Sequence, residues 1–496
     1  MAFFLLAAPS APAADPPAAA AARPVVSLKD LVRDAIRGNL ALASARASSR
    51  GVETDVLAAR GIFDPLLQAA PAYSSGSSTL LLEPGASTSG SQSGRFLGLG
   101  VSGTLPFSTS YALVLDHSWQ DQDNPALAAP GELQPSAATA LTLTLRQPLL
   151  KGAGARYAGA PLIRARLASQ SADERLNRTL EQTIADVESA YWSLGLAEEV
   201  ERLSRDSFLR AEELLNRNQR MRSLELISDV DLITSRRGAQ ARLTSLTEAS
   251  RRRQDAADQL LFFVYGERGD AMATRLETLA TEPPPAAAPE LIGPAEVDSL
   301  AASLRSDVQA LQLEVQQGAL SEKVAHNSLL PDLSLAGSVA TRTQATDSFR
   351  LFSNGRAGDL DSSDWRIGVT FSFPLSNRAA RAAYQQSVWE SQFRSLALAS
   401  AQTNVRSEVR IAARAVTAHS LRLEQAQLSF DLARQQYEAG QKQLQLGLID
   451  SFRLLQMEEE VTGAEVILAQ VRYDRAQAIT SYDLAIGTLR EKYAEP

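Results

Sequence analysis

Apolar and polar positions alternate with a period of two in several short stretches of this chain, and with a period near 3.5 in two very long ones. Between Ala140 and Tyr157, Leu141, Leu143 and Leu145 alternate with Thr142, Thr144 and Arg146, which predicts a strand with one apolar face. Pro148 has no N–H to give a ladder and ends that strand. A short Gly-containing bend follows, then a long helical pattern from about Ala160. The same joint returns between Arg366 and Tyr384. There Ile367, Val369, Phe371 and Phe373 alternate with Gly368, Thr370 and Ser372, Pro374 stops the strand, and a second long helical run begins.

Weaker alternations fill the segment before the first joint. Leu67, Ala69, Pro71 and Tyr73 form one apolar row after Pro65; Leu97, Leu99, Val101 and Leu105 form a second; Tyr111, Leu113, Leu115 and Trp119 form a third. The turn Leu105–Thr109 between the last two is tight. The Gly/Ser-rich stretch 74–94 and the polar, Pro-containing stretch 120–137 are expected to be loops. Ser27 is expected to cap a first helix that runs to about Arg60 and is closed by Pro65.

In the first helical run Leu176, Leu180, Ile184, Val187, Tyr191 and Leu194 share a stripe. In the second, Val405, Val409, Ala412, Val416, His419, Leu423, Ala426, Phe430, Ala433 and Tyr437 follow a strict four–three spacing, which predicts left-handed coiled-coil packing. Each run is interrupted once, near 221–229 and near 440–450, so each is expected to be a helical hairpin.

The two halves read as an internal duplication. Asn39-Leu40-Ala41-Leu42 corresponds to Arg305-Ser306-Asp307-Val308, Pro65 to Pro331, Pro148 to Pro374, Glu225-Leu226-Ile227 to Gly447-Leu448-Ile449, and Tyr265-Gly266 to Ile486-Gly487. The offset is 266 at the two proline positions 65 and 331 and 226 at 148 and 374, so repeat one carries 40 extra residues between them. That is room for one more hairpin of strands about 11 residues long, the length a tilted membrane strand needs. Six strands are therefore expected, against an alternative of four. The expected organisation is 1–26 signal peptide and Ala/Pro leader, 27–266 repeat one, 267–294 linker, 295–487 repeat two and 488–496 C-terminal tail.

Composition narrows the chemistry. The 496 residues carry a net charge of −8 and 21% charged side chains, which argues against nucleic acid as a partner. There is no cysteine, hence no disulfide, thiolate metal site, cysteine nucleophile or lipidated N-terminal cysteine. No apolar run after the N-terminus is long enough for a transmembrane helix. The start, with its apolar residues and Ala11-Pro12-Ala13, reads as a signal peptide, or alternatively as a disordered Ala/Pro leader. His117, His326 and His419 are far apart in sequence and show no metal-ligand spacing. His419 is expected to be a satisfied histidine on the coiled-coil seam. Gly152-Ala153-Gly154 has a dinucleotide-loop look, but the strand before it alternates and no βαβ unit follows. The run Glu458-Glu459-Glu460 is expected to be a solvated helix face. No cofactor and no catalytic constellation is expected.

The two-fold repeat, the strand-to-helix joints and three short motifs resemble the TolC-like outer-membrane efflux channel family over essentially everything after residue 27. Leu446-Gly447-Leu448-Ile449-Asp450-Ser451-Phe452 resembles that family's hairpin-tip motif, Arg305-Ser306-Asp307-Val308 its Arg-Pro-Asp-Leu, and Ala485-Ile486-Gly487-Thr488-Leu489 its typical ending. The resemblance implies an α+β membrane protein: a homotrimer whose strands form one outer-membrane β-barrel, continued by a long α-helical coiled-coil barrel in the periplasm. It implies a passive export duct that docks on a periplasmic adaptor protein and an inner-membrane pump, in a tripartite efflux or type I secretion system. The competing reading is a soluble periplasmic coiled-coil adaptor or scaffold.

Under that resemblance the hairpin tips carry the candidate residues. Leu224, Leu226, Leu446, Gly447 and Leu448 are expected to meet the adaptor. Asp229, Asp231, Asp450 and Arg453 are expected at the periplasmic aperture, with Asp231 and Arg453 pairing between neighbouring hairpins and Asp450 facing the pore. Glu225 stands where the family has a tip glycine, and Arg453 where an acid is usual; both are departures.

Physical chemistry reaches part of this alone. Four or six strands are too few to close a barrel, which needs about eight. An open edge in lipid leaves backbone groups unpaired at several kcal/mol each, so strands in a membrane require an oligomer.

Overall fold

The computed structural model describes residues 25–83, 86–123, 134–266, 280–287, 289–292, 304–345 and 362–493. In chain order, β1 (Val25–Val26) leads into α1 (Leu28–Gly38) and α2 (Leu40–Arg60). Ser27 occupies the cap position of α1, but its side chain makes no capping bond; its carbonyl accepts from Asp30 and Leu31 instead. The expected single helix is two, because Asn39 leaves helical geometry and its Oδ1 caps α2 through the Leu42 N–H at 3.0 Å.

Four strands follow Pro65: β2 (Leu66–Glu83), β3 (Ala86–Thr104), β4 (Ser110–Asp123) and β5 (Gln134–Pro148). The Gly/Ser-rich stretch 74–94 is not a loop. Over its described residues it is the outer half of a long hairpin, paired from Leu66↔Ser102 to Leu81↔Ser87. Serine and glycine give no alternation to read, yet their backbones make the same ladder as any other residue. The polar stretch 120–137 is likewise shorter as a connection than expected, since β4 and β5 take its two ends; 124–133 lies outside the described residues. The expected tight turn is present, with Leu105 N–H donating to the Thr109 carbonyl at 2.7 Å.

The joint then bends at Gly152 and Gly154, both with positive φ (74° and 93°). The Gly152 N–H donates to Asn327 Oδ1 at 2.6 Å, so this glycine pair serves the bend and not a dinucleotide. Next come α3 (Ala155–Ala158), α4 (Ala160–Ser223) and α5 (Asp229–Tyr265), then β6 (Ala280–Thr281). The second half runs α6 (Ser306–Asn327), β7 (Asp332–Ala345), β8 (Ser362–Ser372), α7 (Arg378–Gln445), α8 (Ser451–Ile486) and α9 (Leu489–Tyr493).

The chain divides into two compact units. One, formed by 45–176 and 306–403, holds a single antiparallel sheet in the order β2-β3-β4-β5-β7-β8. The six expected strands are all in it. The other, formed by 1–44, 177–305 and 404–496, is helical and contains the main apolar core. Ile184, Val187, Tyr191 and Leu194 of the predicted stripe are buried there with Leu31, Val32, Leu260 and Val264. The seam also holds: Val405, Val409, Ala412, Val416 and Ala426 are buried on α7, and Ala426 packs with Leu468 and Val471 of α8. His419 lies on this seam, but its buried Nδ1 has no hydrogen-bond partner, so it is not the satisfied histidine expected.

Segments read as peripheral are packed in this unit. β1 pairs in parallel with β6, inside the stretch set aside as a linker. Arg475 holds the same stretch through the carbonyls of Pro285 and Ala286, at 2.5 and 2.6 Å. Leu489, at the start of the expected tail, is fully buried.

Candidate functional site: sheet faces and hairpin tips

Residues directly opposite in an antiparallel ladder point to the same side. The register therefore sorts the whole sheet into two faces. One row runs Ala69, Leu99, Leu115, Leu141, Thr341 and Ser363; the next runs Leu67, Val101, Leu113, Leu143, Val339 and Trp365. Tyr73, Leu97, Leu145, Leu335, Ile367, Val369 and Phe371 lie on the same face. Leu97, Leu99, Leu113 and Leu143 are exposed there, together with the apolar residues of β8. The opposite face carries Gln68, Gly98, Gly100, Asp116, Thr142, Thr144, Ser338, Asp364, Arg366 and Thr370. There Arg146 and Asp332 form an ion pair at 3.2 Å. A sheet that is apolar on one face and polar on the other is what a barrel wall between lipid and water requires.

The two hairpin tips are built alike. At the end of α4, Leu226 N–H donates to the Met221 carbonyl and Glu225 N–H to that of Arg222. At the end of α7, Leu448 N–H donates to Gln443 and Gly447 N–H to Leu444. Both are six-to-one and five-to-two closures around one left-handed residue, with φ 71° at Gly447 and 59° at Glu225. The departure at Glu225 is thus one of side chain and not of backbone, held against a cost of about 1–2 kcal/mol for a non-glycine residue. Ser228 then caps α5 in a reciprocal box with Asp231, whose Oδ2 accepts from the Ser228 hydroxyl at 2.7 Å. Asp450, at the corresponding place, caps α8 by accepting from the Arg453 N–H at 2.8 Å.

This capping accounts for two of the predicted aperture charges. Within one chain Asp231 and Arg453 do not pair: Asp231 serves its cap and Arg453 donates to Gln456 at 2.8 Å. Asp229 pairs with Arg222 at 2.7 Å. The predicted contact residues Leu224, Leu226, Leu446 and Leu448 are all exposed, and Val230 and Phe452 extend the same two patches.

The tips are tied by buried polar groups that sequence reading missed. Asn218 on α4 donates to Ser235 on α5 at 2.5 Å and to Ser451 on α8 at 3.1 Å. Further along, the Glu458 carboxylate is only 5% exposed. It accepts from Ser207 at 2.7 Å and pairs with Arg210 on α4 at 3.2 Å and Arg242 on α5 at 3.0 Å. The expected solvated acidic face is therefore correct only for Glu459 and Glu460. Charge alone could not separate the three; only their phase against the packed side of α8 does.

A second buried carboxylate, Glu188, accepts from Thr480 at 2.5 Å and from the Tyr493 hydroxyl, and pairs with Lys492 at 3.0 Å. Lys492 also meets Asp483 at 3.2 Å. Burial lowers the Lys492 pKa, but the Glu188 and Asp483 charges outweigh it and hold it above its ordinary value. Burial pushes the Tyr493 hydroxyl up, and the Glu188 charge adds to it.

The motifs named in the sequence also meet. Arg305 is buried and donates to the Ala485 carbonyl in the last turn of α8, while pairing with Glu408, both at 3.0 Å. In the first half Asn39 does the same for the Phe263 carbonyl of α5 at 2.8 Å. Among the described residues no group of histidines and carboxylates could hold a metal ion.

Residues 298–488 match the family described as Outer membrane efflux protein. Over those residues the sequence matches that family, and the fold of the chain is TolC-like. No curated protein matches it. Among solved structures it resembles the Campylobacter jejuni CmeC outer membrane channel, at 15% identity and TM-score 0.64, over 93% of this chain and 85% of that one. It resembles the Vibrio cholerae outer membrane protein VceC at 14% and 0.64, over 93% and 96%. It also resembles the open state of the Neisseria gonorrhoeae MtrE outer membrane channel at 17% and 0.64, over 93% and 89%. Residues 298–488 thus carry the sequence pattern of outer membrane efflux proteins, and the channels named above share the fold over 93% of the chain.

Proposed function

We propose that three copies of this channel close one eighteen-stranded barrel and serve as the passive outer duct of a tripartite efflux or type I secretion assembly. The observation that carries this is the six-stranded sheet with one apolar face and with β2 and β8 as its two ends. Six strands cannot close alone, and unpaired edges are not tolerated in lipid. An even number of antiparallel strands lets β8 of one copy meet β2 of the next antiparallel as well. Eighteen strands leave an aqueous channel.

The register supports the same closure. The row that starts at Leu66 passes through Ser102, Ala112, Thr144 and Ser338 to Arg366, six residues before the end of β8 at Ser372. With Leu66 and Ser372 at one level, that is about one residue per strand. A rise of about 3.4 Å against a spacing of about 4.8 Å is a tilt of roughly 35°, within the range closed barrels use.

The tips supply the periplasmic end of the duct. Their exposed apolar residues, Leu224, Leu226 and Val230 on one hairpin and Leu446, Leu448 and Phe452 on the other, occupy matching positions. Each copy thus offers an adaptor protein two similar apolar sites, and the inner-membrane pump lies beyond that adaptor. Asp231 and Arg453, unpaired with each other within a chain, latch the aperture between chains, and Asp450 lines it.

Single-channel recording in a planar bilayer tests this reading. Asp231→Asn and Arg453→Gln are expected to raise conductance. Asp450→Asn, which keeps a capping side chain while removing the charge, is expected to weaken cation preference. A purified channel that conducts nothing overturns the duct; unchanged conductance and selectivity in all three variants remove the gate assignment.

A further inference from the structure

In the unit that contains the sheet, the helices form a row. Ser49 on α2 donates to Asp173 on α4 at 2.6 Å, Ser171 on α4 donates to the Ala310 carbonyl of α6 at 3.4 Å, and Arg394 on α7 donates to the Glu314 carbonyl of α6 at 3.1 Å. The order is α2-α4-α6-α7. Its two end helices are joined directly to the two edge strands, α2 to β2 through 61–65 and α7 to β8 through 373–377.

The outer faces of these end helices are unlike. On α7, Trp389, Phe393 and Leu396 stand out in a four–three stripe, each between 61% and 68% exposed. On α2 the exposed positions Ala47, Ser48, Gly51, Thr54 and Ala58 are small, with the exposed Arg50, Glu53, Asp55 and Leu57 beside them, and a Cβ placed at Gly51 would meet nothing within 4 Å. One face is a ridge of large apolar side chains and the other a shallow groove.

We propose that Trp389 and Phe393 of one copy seat in the Ala47–Gly51 groove on α2 of the next copy, so that one contact closes the helix row as the sheet closes. The inference rests on the oligomer proposed above and deepens it by naming the helical contact. Connectors of equal length set both helices at the same level below their strands. Trp389 lies 11 residues into α7 from Arg378, and Phe393 lies 15. Gly51, Ser48 and Ala47 lie 9, 12 and 13 residues into α2 from Arg60. At 1.5 Å per residue these levels agree to within about one helical turn. Large residues set into a groove of small ones allow close ridge-to-groove packing.

The absence of cysteine from the chain makes the test direct. Gln386 is exposed on α7 one turn before Trp389, 8 residues in from Arg378, which is the level of Gly51. Full-length chains carrying only Gln386→Cys are co-expressed with chains carrying only Gly51→Cys, and membranes are treated with a short bis-maleimide. Cross-linked dimers that need both variants are expected, with none from either alone. A second arm measures dissociation of the detergent-solubilised oligomer. Trp389→Ser with Phe393→Ser, and separately Gly51→Leu, are each expected to raise the concentration at half-dissociation about tenfold or more. An intact trimer with no cross-link and no change in dissociation overturns this contact while leaving the trimer standing. A wild-type chain that never exceeds a monomer overturns the oligomer itself.

Discussion

Glu458 offers the sharpest test of what holds the two hairpins in register. Glu458→Gln keeps the shape and removes the charge that faces Arg210 and Arg242. The wild-type carboxylate is 5% exposed, Arg242 14% and Arg210 35%. Removing one member of a buried pair typically costs about 3–5 kcal/mol, because the remaining charge stays desolvated. Here Arg210 is exposed enough to turn to water, while Arg242 has less freedom; the retained amide still accepts from Ser207. The expected cost is therefore about 2–3 kcal/mol. Native-state hydrogen exchange reads it at the amides of Ser451–Thr462, which should open roughly 30- to 150-fold more often. Glu460→Gln is the internal control, since its side chain is exposed, and it should stay within about 0.5 kcal/mol; Glu459 is not one, because it lies 3.8 Å from Arg242. A double-mutant cycle of Glu458→Gln with Arg242→Gln should give a coupling well above about 0.5 kcal/mol. A coupling near zero, or an equal effect at Glu460, would refute the node as a lock between α4, α5 and α8.

Further outcomes follow from the same physical reasoning. Glu225→Gly should stabilise the first tip by about 1 kcal/mol, seen as slower exchange at Leu226, whereas Gly447→Ala should cost the second tip about as much. Leu143→Arg, on the apolar sheet face, should cost about 2–4 kcal/mol in a bilayer-refolding assay, and Thr144→Arg, on the other face, far less. The C-terminal helix should loosen in alkali. Lys492 is held above its ordinary pKa in the folded state, so its contribution is fully present below pH 10.5 and is lost as pH rises past its raised value. Limited proteolysis at the C-terminus across that range should show α9 released, and Lys492→Met should release it already at neutral pH.

Much of this protein was legible in its pattern of residues. Period-two rows ended by Pro148 and Pro374 marked strands joined to helices, and the four–three spacing from Val405 to Tyr437 marked the seam, because in each case one buried or lipid-facing side imposes a periodicity. The spacing between Pro65 and Pro148 allowed the extra hairpin. Leu446-Gly447-Leu448 pointed to a tip through its resemblance to a family motif, and the structure gives the reason for the glycine in its left-handed φ of 71°. Where no side-chain face imposed a period, the sequence was silent: the described residues of 74–94 are strand through backbone pairing, which serine and glycine share with any residue. Tertiary structure alone decided which of Glu458, Glu459 and Glu460 is buried, since one residue of helical phase separates a solvated acid from one locked between two arginines. It alone gave Glu225 the conformation of a glycine, through the carbonyls of Met221 and Arg222. It also brought Asn39 to Phe263 and Arg305 to Ala485, pairs 224 and 180 residues apart, because only the packed chain closes such distances.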